Sequence, residues 1–517
     1  MDYKCYFCRQ NISMAGKGMK SLAKDTAIYG LSSIIGRFLN YCLFPLHIYV
    51  FSQAAEYGKI NRLQALVALC FVLLTYGMET GFFRFMNRKE EDTSKVYSTS
   101  LITLGTTSLL FIMLCCIFIT PLSEILRYQE EDHIIMMALC VALDAFMTIP
   151  FAYLRYQQRP IRFMTLKMSF ILVNILFNLI FLLLCPWLYN NYPDFPLNKF
   201  YHPDFGIGYV FLANLIATLV TLLLLIPTTM KGLKFRFDNS LLKRMLKYSF
   251  PLLILAVAGV VSQAIAGLVY PYIFGDNVEE ANRQLGIYSA GVKISVVITM
   301  FIQAFRYAYE PFFFSKGKEE SSTKAYADAM KYFIIFALIL FLGMMFYTDI
   351  IKFILDKIGK DFSPGLDVLP YAMLGEIFFG IYFNLSVWYK LTDKTKYGAY
   401  FSVLGCVIQI AMNFILVPIY GYIASAWATF AANLIIMTIS YFIGQKYFPI
   451  KYDLKSIALY FGLAVVFYIA AMNPTIDNDV LRLSYRTIFL IVFTVIIIKR
   501  DLPLNEIPFI NRFLKKR

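Results

Sequence analysis

Histidine is nearly absent from this chain: His47, His133 and His202 are the only three in 517 residues, and they are scattered. Charge is scarce as well, at 16% Asp, Glu, Lys and Arg. There is no Walker loop, no dinucleotide-binding glycine pattern, no His-Glu-x-x-His and no nucleophile elbow, so the common signatures of enzyme chemistry are missing. No loop is long enough to form a domain, and a membrane polysaccharide polymerase or ligase would need a larger outer catalytic loop. The one Asp-x-Asp pattern, Asp477-Asn478-Asp479, lies in a short outer turn, where helix capping accounts for it. Most of the nine cysteines, such as Cys115, Cys140 and Cys406, fall inside apolar runs and act there as small apolar side chains. Cys5 and Cys8 have ligand spacing, but no second pair completes a structural site, so neither a metal nor a cofactor is expected.

What the chain has in abundance is apolar sequence. Hydrophobic residues make up 59% of it, more than a soluble domain of this size carries. Apolar runs recur at Ile28–Phe51, Leu63–Phe85, Tyr97–Leu122, Ile134–Leu154, Phe163–Cys185, Ile207–Met230 and Tyr248–Phe274. They continue at Leu285–Phe314, Tyr326–Thr348, Leu366–Tyr389, Tyr397–Ile419, Tyr422–Gly444, Ile457–Met472 and Leu483–Ile498. A span takes about 20 residues at a helical rise, which predicts an all-α integral membrane protein with about fourteen transmembrane helices.

Basic residues set the orientation. With the N-terminus inside, the inner segments hold 34 of the 48 Lys and Arg and the outer loops 10. That positive-inside bias places both termini in the cytoplasm and accounts for the net charge of +15. Nucleic acid is therefore not needed as a partner, whereas membrane lipids are. The first run is too long for a signal-peptide core and carries Arg37, so it reads as an uncleaved helix. The polar residues ahead of it read as an extension, with Met1, Met14 or Met19 as the start.

A weak internal repeat divides the chain. Met412-Asn413-Phe414 followed by Tyr420-Gly421-Tyr422-Ile423-Ala424-Ser425-Ala426 parallels Phe177-Asn178-Leu179 followed by Phe205-Gly206-Ile207 and Ala213-Asn214. Each reads as an Asn on one helix, a Gly turn, and a helix rich in small residues, which let backbones approach. The first copy carries the outer insertion Pro186–Phe205. The expected organisation is a cytoplasmic segment 1–24, an N-lobe 25–230, a linker 231–247, a C-lobe 248–444, and a C-terminal helix pair with a tail, 445–517.

Three basic residues sit inside the runs: Arg37, Lys293 and Arg306. Each costs about 2.5–3.5 kcal/mol at a helix centre and marks a cavity, an anionic ligand or a buried ion pair. Arg37 lies too deep to snorkel; cavity lining and pairing with Asp144 or Glu376 are both open to it. Lys293 is favoured as cavity lining. Arg306 has Glu310 one turn on, and an intrahelical pair or snorkelling is the readier account there. Glu79 and Arg84 read as an interfacial ion network. Pro45, Pro150 and Pro311 should kink their helices.

The segment Tyr29-Gly30-Leu31-Ser32-Ser33-Ile34-Ile35-Gly36-Arg37-Phe38, with Pro45-Leu46 and Glu56-Tyr57-Gly58, resembles the opening of bacterial polysaccharide biosynthesis (oligosaccharide flippase) proteins. Leu285-Gly286-Ile287-Tyr288-Ser289-Ala290-Gly291-Val292-Lys293 is similar to their eighth-helix motif, and Asn413 with Pro418-Ile419-Tyr420-Gly421 to their eleventh-to-twelfth hairpin. The resemblance is to Wzx-type exporters of the MOP superfamily, relatives of the MATE antiporters and the peptidoglycan precursor flippase. It implies two six-helix lobes in a V shape with a central cationic cavity, plus a C-terminal helix pair. It further implies transport, by alternating access across the bacterial inner membrane, of an undecaprenyl-pyrophosphate-linked oligosaccharide such as an O-antigen, capsule or exopolysaccharide repeat unit. Arg37 and Lys293 would line the cavity, with Arg306 as a third position. Asp144, Glu376 and Glu310 are coupling or ion-pair candidates, and other polysaccharide assembly proteins are candidate partners. The leading alternative is a cation-coupled multidrug exporter of the same fold, which would favour acidic cavity residues.

Overall fold

In a bilayer a chain satisfies its backbone polar groups internally, and long apolar runs do so as helices. The computed structural model describes residues 35–36, 38–39 and 41–501, except 89, 193, 195, 200, 233, 317–319 and 393, and every regular element among them is helical. The first stretch holds α1 (Leu43–Val50), α2 (Ala54–Thr75), α3 (Met78–Met86), α4 (Thr93–Ile117), α5 (Ile119–Leu126) and α6 (Glu131–Tyr156). Next come α7 (Pro160–Leu179), which passes through a π turn, Ile180–Leu184, into α8 (Cys185–Asn191), then α9 (Gly208–Gly232) and α10 (Asn239–Ile273). After them come α11 (Val278–Ile294), α12 (Val296–Lys316), α13 (Glu320–Phe346), α14 (Thr348–Ile358), α15 (Leu369–Leu385) and α16 (Val387–Leu391). The chain closes with α17 (Lys396–Tyr420), α18 (Ile423–Tyr447), α19 (Leu454–Met472) and α20 (Asp479–Asp501).

Twelve of the described spans are long and apolar enough to cross a membrane, or thirteen when the bent pair α11–α12 counts as one. Each apolar run from the second onward coincides with one of them. Most of the first run, Ile28–Phe51, lies outside the described residues. Exposed apolar ridges such as Leu109, Met113 and Ile117 on α4, and Val407, Phe414 and Ile415 on α17, are the lipid-facing surface that such a protein requires. Helix starts are capped by side chains: Asp92 accepts from Ser94 N–H at 2.9 Å, and Asp238 from Leu241 N–H at 3.0 Å. Asn478 caps α20 by accepting from Leu481 N–H at 3.1 Å, so the Asp477-Asn478-Asp479 pattern is a helix start.

Contacts divide the chain into two compact units, one running to Arg283 and one from Gln284, with Ser52–Ala54 grouped in the second. In the first, α9 packs on α6 and α7, and α4 on α6. The division falls inside α11, beyond the linker expected at 231–247. The reason is that Leu241 and Met245 of α10 are buried with Met78, Phe82 and Phe85 of α3, which binds α10 to the first unit. In the second unit α18 packs on α15 and α17, and the C-terminal pair α19–α20 packs on α13.

The two Asn positions of the repeat share local features. Asn178 and Asn413 are both fully buried. Asn178 donates to the Asn174 carbonyl at 2.8 Å, and Asn413 to that of Gln409 at 2.8 Å. The side-chain oxygen of each faces a donor from another helix, the His47 ring at 3.1 Å in one copy and the Ser425 hydroxyl in the other. The turn glycines Gly206 and Gly421 both have positive φ, 48° and 66°, a backbone region that other residues enter at a cost.

Candidate functional site: buried charges in the two units

Asp144, Thr148 and Arg155 lie at i, i+4 and i+11 on α6, so one helical face presents all three. With Glu79 of α3 and Lys167 of α7 they line a cavity of about 320 Å³ within the first unit. Arg155 pairs with Glu79. The Lys167 ammonium stands 4.3 Å from the centre of the Phe151 ring, where the face of the ring stabilises a cation. Four ionisable side chains thus share one partly polar space inside an apolar bundle. Lys167 and Glu79 stay partly open, and the opposite charges within the same cavity offset what partial burial costs Asp144 and Arg155.

Sequence reading placed Asp144 at a buried position but missed its surroundings. Lys167, near the start of the run Phe163–Cys185, lies on α7 and lines the cavity. Of the two residues expected in an interfacial ion network, Glu79 pairs with Arg155, while the Arg84 guanidinium stacks 3.9 Å from the centre of the Tyr248 ring on α10. The spacing of Asp144, Thr148 and Arg155 was the available signal for a polar stripe. Nothing in the sequence pointed to Tyr248.

The second unit holds the other candidates. Lys293 is half-buried in the last turn of α11, beside Ser295, where α11 and α12 meet at a 46° bend. Ser295 marks the break, donating its hydroxyl to the Val292 carbonyl at 2.8 Å. The bend falls at none of the prolines expected to kink helices. Arg306 is half-buried on α12 with its guanidinium 4.3 Å from the centre of the Phe383 ring; Lys390 approaches the same ring at 4.6 Å. Glu376 is half-buried on α15. The side chain of Glu310 is outside the described residues, as are Arg37, Cys5 and Cys8. Among the described residues no three His, Cys, Asp or Glu side chains are grouped to hold a metal ion.

Close packing positions Lys293. A Cβ on Gly291 would stand 2.2 Å from the carbonyl oxygen of Gly365, and one on Gly365 would stand 2.6 Å from that of Ile287. Only glycine allows this approach, so Tyr288-Ser289-Ala290-Gly291 acts as the contact surface that sets α11 against the turn at 360–368.

These observations can be set beside known proteins. No curated protein sequence matches the chain. Among solved structures it is similar to the lipid II flippase MurJ in an inward closed conformation, with a TM-score of 0.68 and 16% identity over 91% of this chain and 98% of that one. It is also similar to a multidrug resistance MATE family transporter of the MOP superfamily in an inward-facing conformation, with a TM-score of 0.56 and 15% identity over 81% and 94% of the two chains. The outward-facing conformation of such a transporter gives a TM-score of 0.51 at 14% identity, over 82% and 95%. At these identities the likeness is one of fold, an all-helical multi-pass membrane architecture. The MatE family model matches residues 278–415. The model for polysaccharide biosynthesis protein matches residues 22–316, more than half of the chain, and the chain therefore belongs to the polysaccharide biosynthesis protein family.

Proposed function

We propose that this protein is a flippase that carries an undecaprenyl-pyrophosphate-linked oligosaccharide, an O-antigen, capsule or exopolysaccharide repeat unit, across the bacterial inner membrane by alternating access, with both termini in the cytoplasm. It acts as a transporter and not as an enzyme. The observation that carries this reading is Lys293: a lysine held at the break of a bent membrane helix pair, on a family motif, by close glycine contacts. A pyrophosphate cannot cross a hydrocarbon core about 30 Å thick unaided, and basic side chains within the bundle lower that barrier. Arg37 and Arg306 join Lys293 as phosphate-binding candidates. Asp144 and Glu376 are candidates for coupling transport to an ion. The similarity to a lipid II flippase supports the choice of a lipid-linked substrate.

Lys293→Gln keeps polarity and approximate length while removing charge. Glycan export in a strain lacking the native gene should fall about tenfold or more, equivalent to about 1.4 kcal/mol or more of lost stabilisation, with the protein still at normal level in the membrane. Unchanged export with both Arg37→Gln and Lys293→Gln in place would remove the cationic mechanism.

The match to the MatE model over 278–415 supports a second reading, a cation-coupled multidrug exporter. The acids Asp144 and Glu79 in the first-unit cavity are the groups it would use. Drug-resistance profiles separate the two readings: on the flippase reading, deletion leaves resistance to cationic drugs unchanged and causes a lipid-linked saccharide to accumulate.

A further inference from the structure

A second cavity of the first unit, about 470 Å³, lies where the first turns of α2 and α11 meet the connections 123–130 and 274–278. In the orientation given by the charge bias this is the external end. The positive groups in its wall are already engaged. Lys59 pairs with Glu130 at 2.8 Å, and Arg127 donates to the Pro271 carbonyl at 3.1 Å and to that of Gly275. Burial acts to raise the Glu130 carboxyl, but the hydrogen bond and charge of Lys59 outweigh it and leave the group below its ordinary range.

The groups left over are acceptors. Glu124, Asp276 and Glu279 line the cavity with no side-chain hydrogen bond or ion pair among the described residues. Asn282, also in the lining, is only 2% exposed, and its side-chain oxygen has no hydrogen-bond partner. A buried acceptor without a donor costs free energy, and native structures keep few of them without a reason. Gly58 fixes this arrangement: a Cβ there would stand 1.8 Å from the Asn282 carbonyl oxygen, so α2 lies directly on α11.

Tyr128 closes one wall; it is only 2% exposed, and the Arg62 guanidinium lies 5.7 Å from the centre of its ring. The Tyr128 hydroxyl meets the His133 ring nitrogen at 3.0 Å, and the His133 ring packs edge-on to Phe205 at 5.8 Å. Phe205 packs on Tyr209 at 4.9 Å, and Tyr209 stacks on Tyr201 at 5.2 Å. Phe205 and Tyr201 belong to the insertion that the second hairpin replaces with the short turn Tyr420-Gly421-Tyr422. The insertion thus braces the Tyr128 wall.

A ligand for this cavity brings hydrogen-bond donors and no negative charge. A metal ion fits poorly, since no three metal-ligating side chains are grouped among the described residues. We propose that the cavity binds the sugar portion of the transported molecule through hydroxyl or amine donors, at the external face, with the insertion 186–205 bracing Tyr128 through His133. The identity of the ligand source rests on the flippase reading. The chemistry is opposite to that of Lys293.

The test is calorimetric titration of the full-length protein in nanodiscs with four probes: chitosan trisaccharide, maltotriose, spermidine and inorganic phosphate. Both trisaccharides should bind, the aminated one more tightly, and phosphate should not. Asn282→Leu should weaken both trisaccharides at least tenfold at unchanged thermal stability. Glu279→Gln, at an exposed position that leaves folding alone, should weaken chiefly the aminated one. Hydrogen exchange should slow at 123–130 and 276–282 on binding. Spermidine binding without maltotriose binding would show a cation site and overturn the proposal, as would binding unaffected by Asn282→Leu or no trisaccharide binding at all. Failure of the flippase reading is distinguishable, because trisaccharide binding to the purified protein needs no transport and should survive Lys293→Gln.

Discussion

At the scale of single residues, Gly291 shows how a motif becomes geometry. The carbonyl of Gly365 would lie 2.2 Å from any Cβ placed there, so Gly291→Ala forces α11 away from 360–368 and moves Lys293, two residues on. The expected loss is about 1–3 kcal/mol of stability, the usual range for overpacking, together with reduced export. Thermal unfolding of the purified variant beside an export assay checks both; a variant as stable and active as the parent would show that the contact is not needed. The motif Tyr288-Ser289-Ala290-Gly291 was legible in the sequence, but its partner was not, because Gly365 meets it only through tertiary packing. The same limit applies to Glu79. Arg84, one helical turn and a residue away, was the nearest cation in sequence, but Arg155 on another helix is the one that pairs with it, and Arg84 turns to Tyr248. Asp144 could be picked out because an acid in an apolar run is conspicuous. Lys167 could not, because it sits near the end of its run, where a lysine usually snorkels to the interface.

At the scale of helices, the C-terminal pair α19–α20 is fastened to α13 and its connection at both ends. At one end Asp349 accepts from Arg482 Nε at 2.6 Å and from Arg486 Nη1 at 2.8 Å, with Arg486 only 5% exposed. At the other, Lys331 pairs with Asp501 at 2.9 Å and, more loosely, with Asp453 at 3.8 Å. Between them lies a shared apolar core that includes Tyr460, Phe493 and Ile497. Removing one member of a buried pair strands its partner. Asp349→Leu should therefore destabilise the protein by about 3 kcal/mol, since it leaves Arg486 buried without its carboxylate. Replacing Lys331 by Met should cost less, about 1 kcal/mol, because Asp501 keeps the Tyr460 hydroxyl as a donor. Limited proteolysis at the 473–478 turn, with thermal unfolding, would rank the two; equal effects would contradict the account. Helix positions were readable from sequence because spans of about 20 apolar residues leave the backbone few options. The 46° break at Ser295 was not readable, since no proline or glycine pair announces it and the prolines nearby drew attention elsewhere.

At the scale of the whole chain, family and fold rest on different footings. The family follows from the match over residues 22–316, whereas the similarity to solved transporters at 14–16% identity concerns architecture. The internal repeat was faint in sequence; Asn178 and Asn413 are alike in burial and in donating to the carbonyl four residues back, while their side-chain oxygens meet different partners, His47 and Ser425. Substrate chemistry is the central claim, and transbilayer movement measures it. The purified protein would be reconstituted into vesicles carrying an undecaprenyl-pyrophosphate-linked oligosaccharide in the inner leaflet, with access of an external lectin followed over time. The account predicts that the saccharide becomes accessible with the parent protein and about tenfold more slowly with Lys293→Gln, a barrier difference of about 1.4 kcal/mol. A saccharide that stays hidden while the same vesicles move a cationic dye would contradict it.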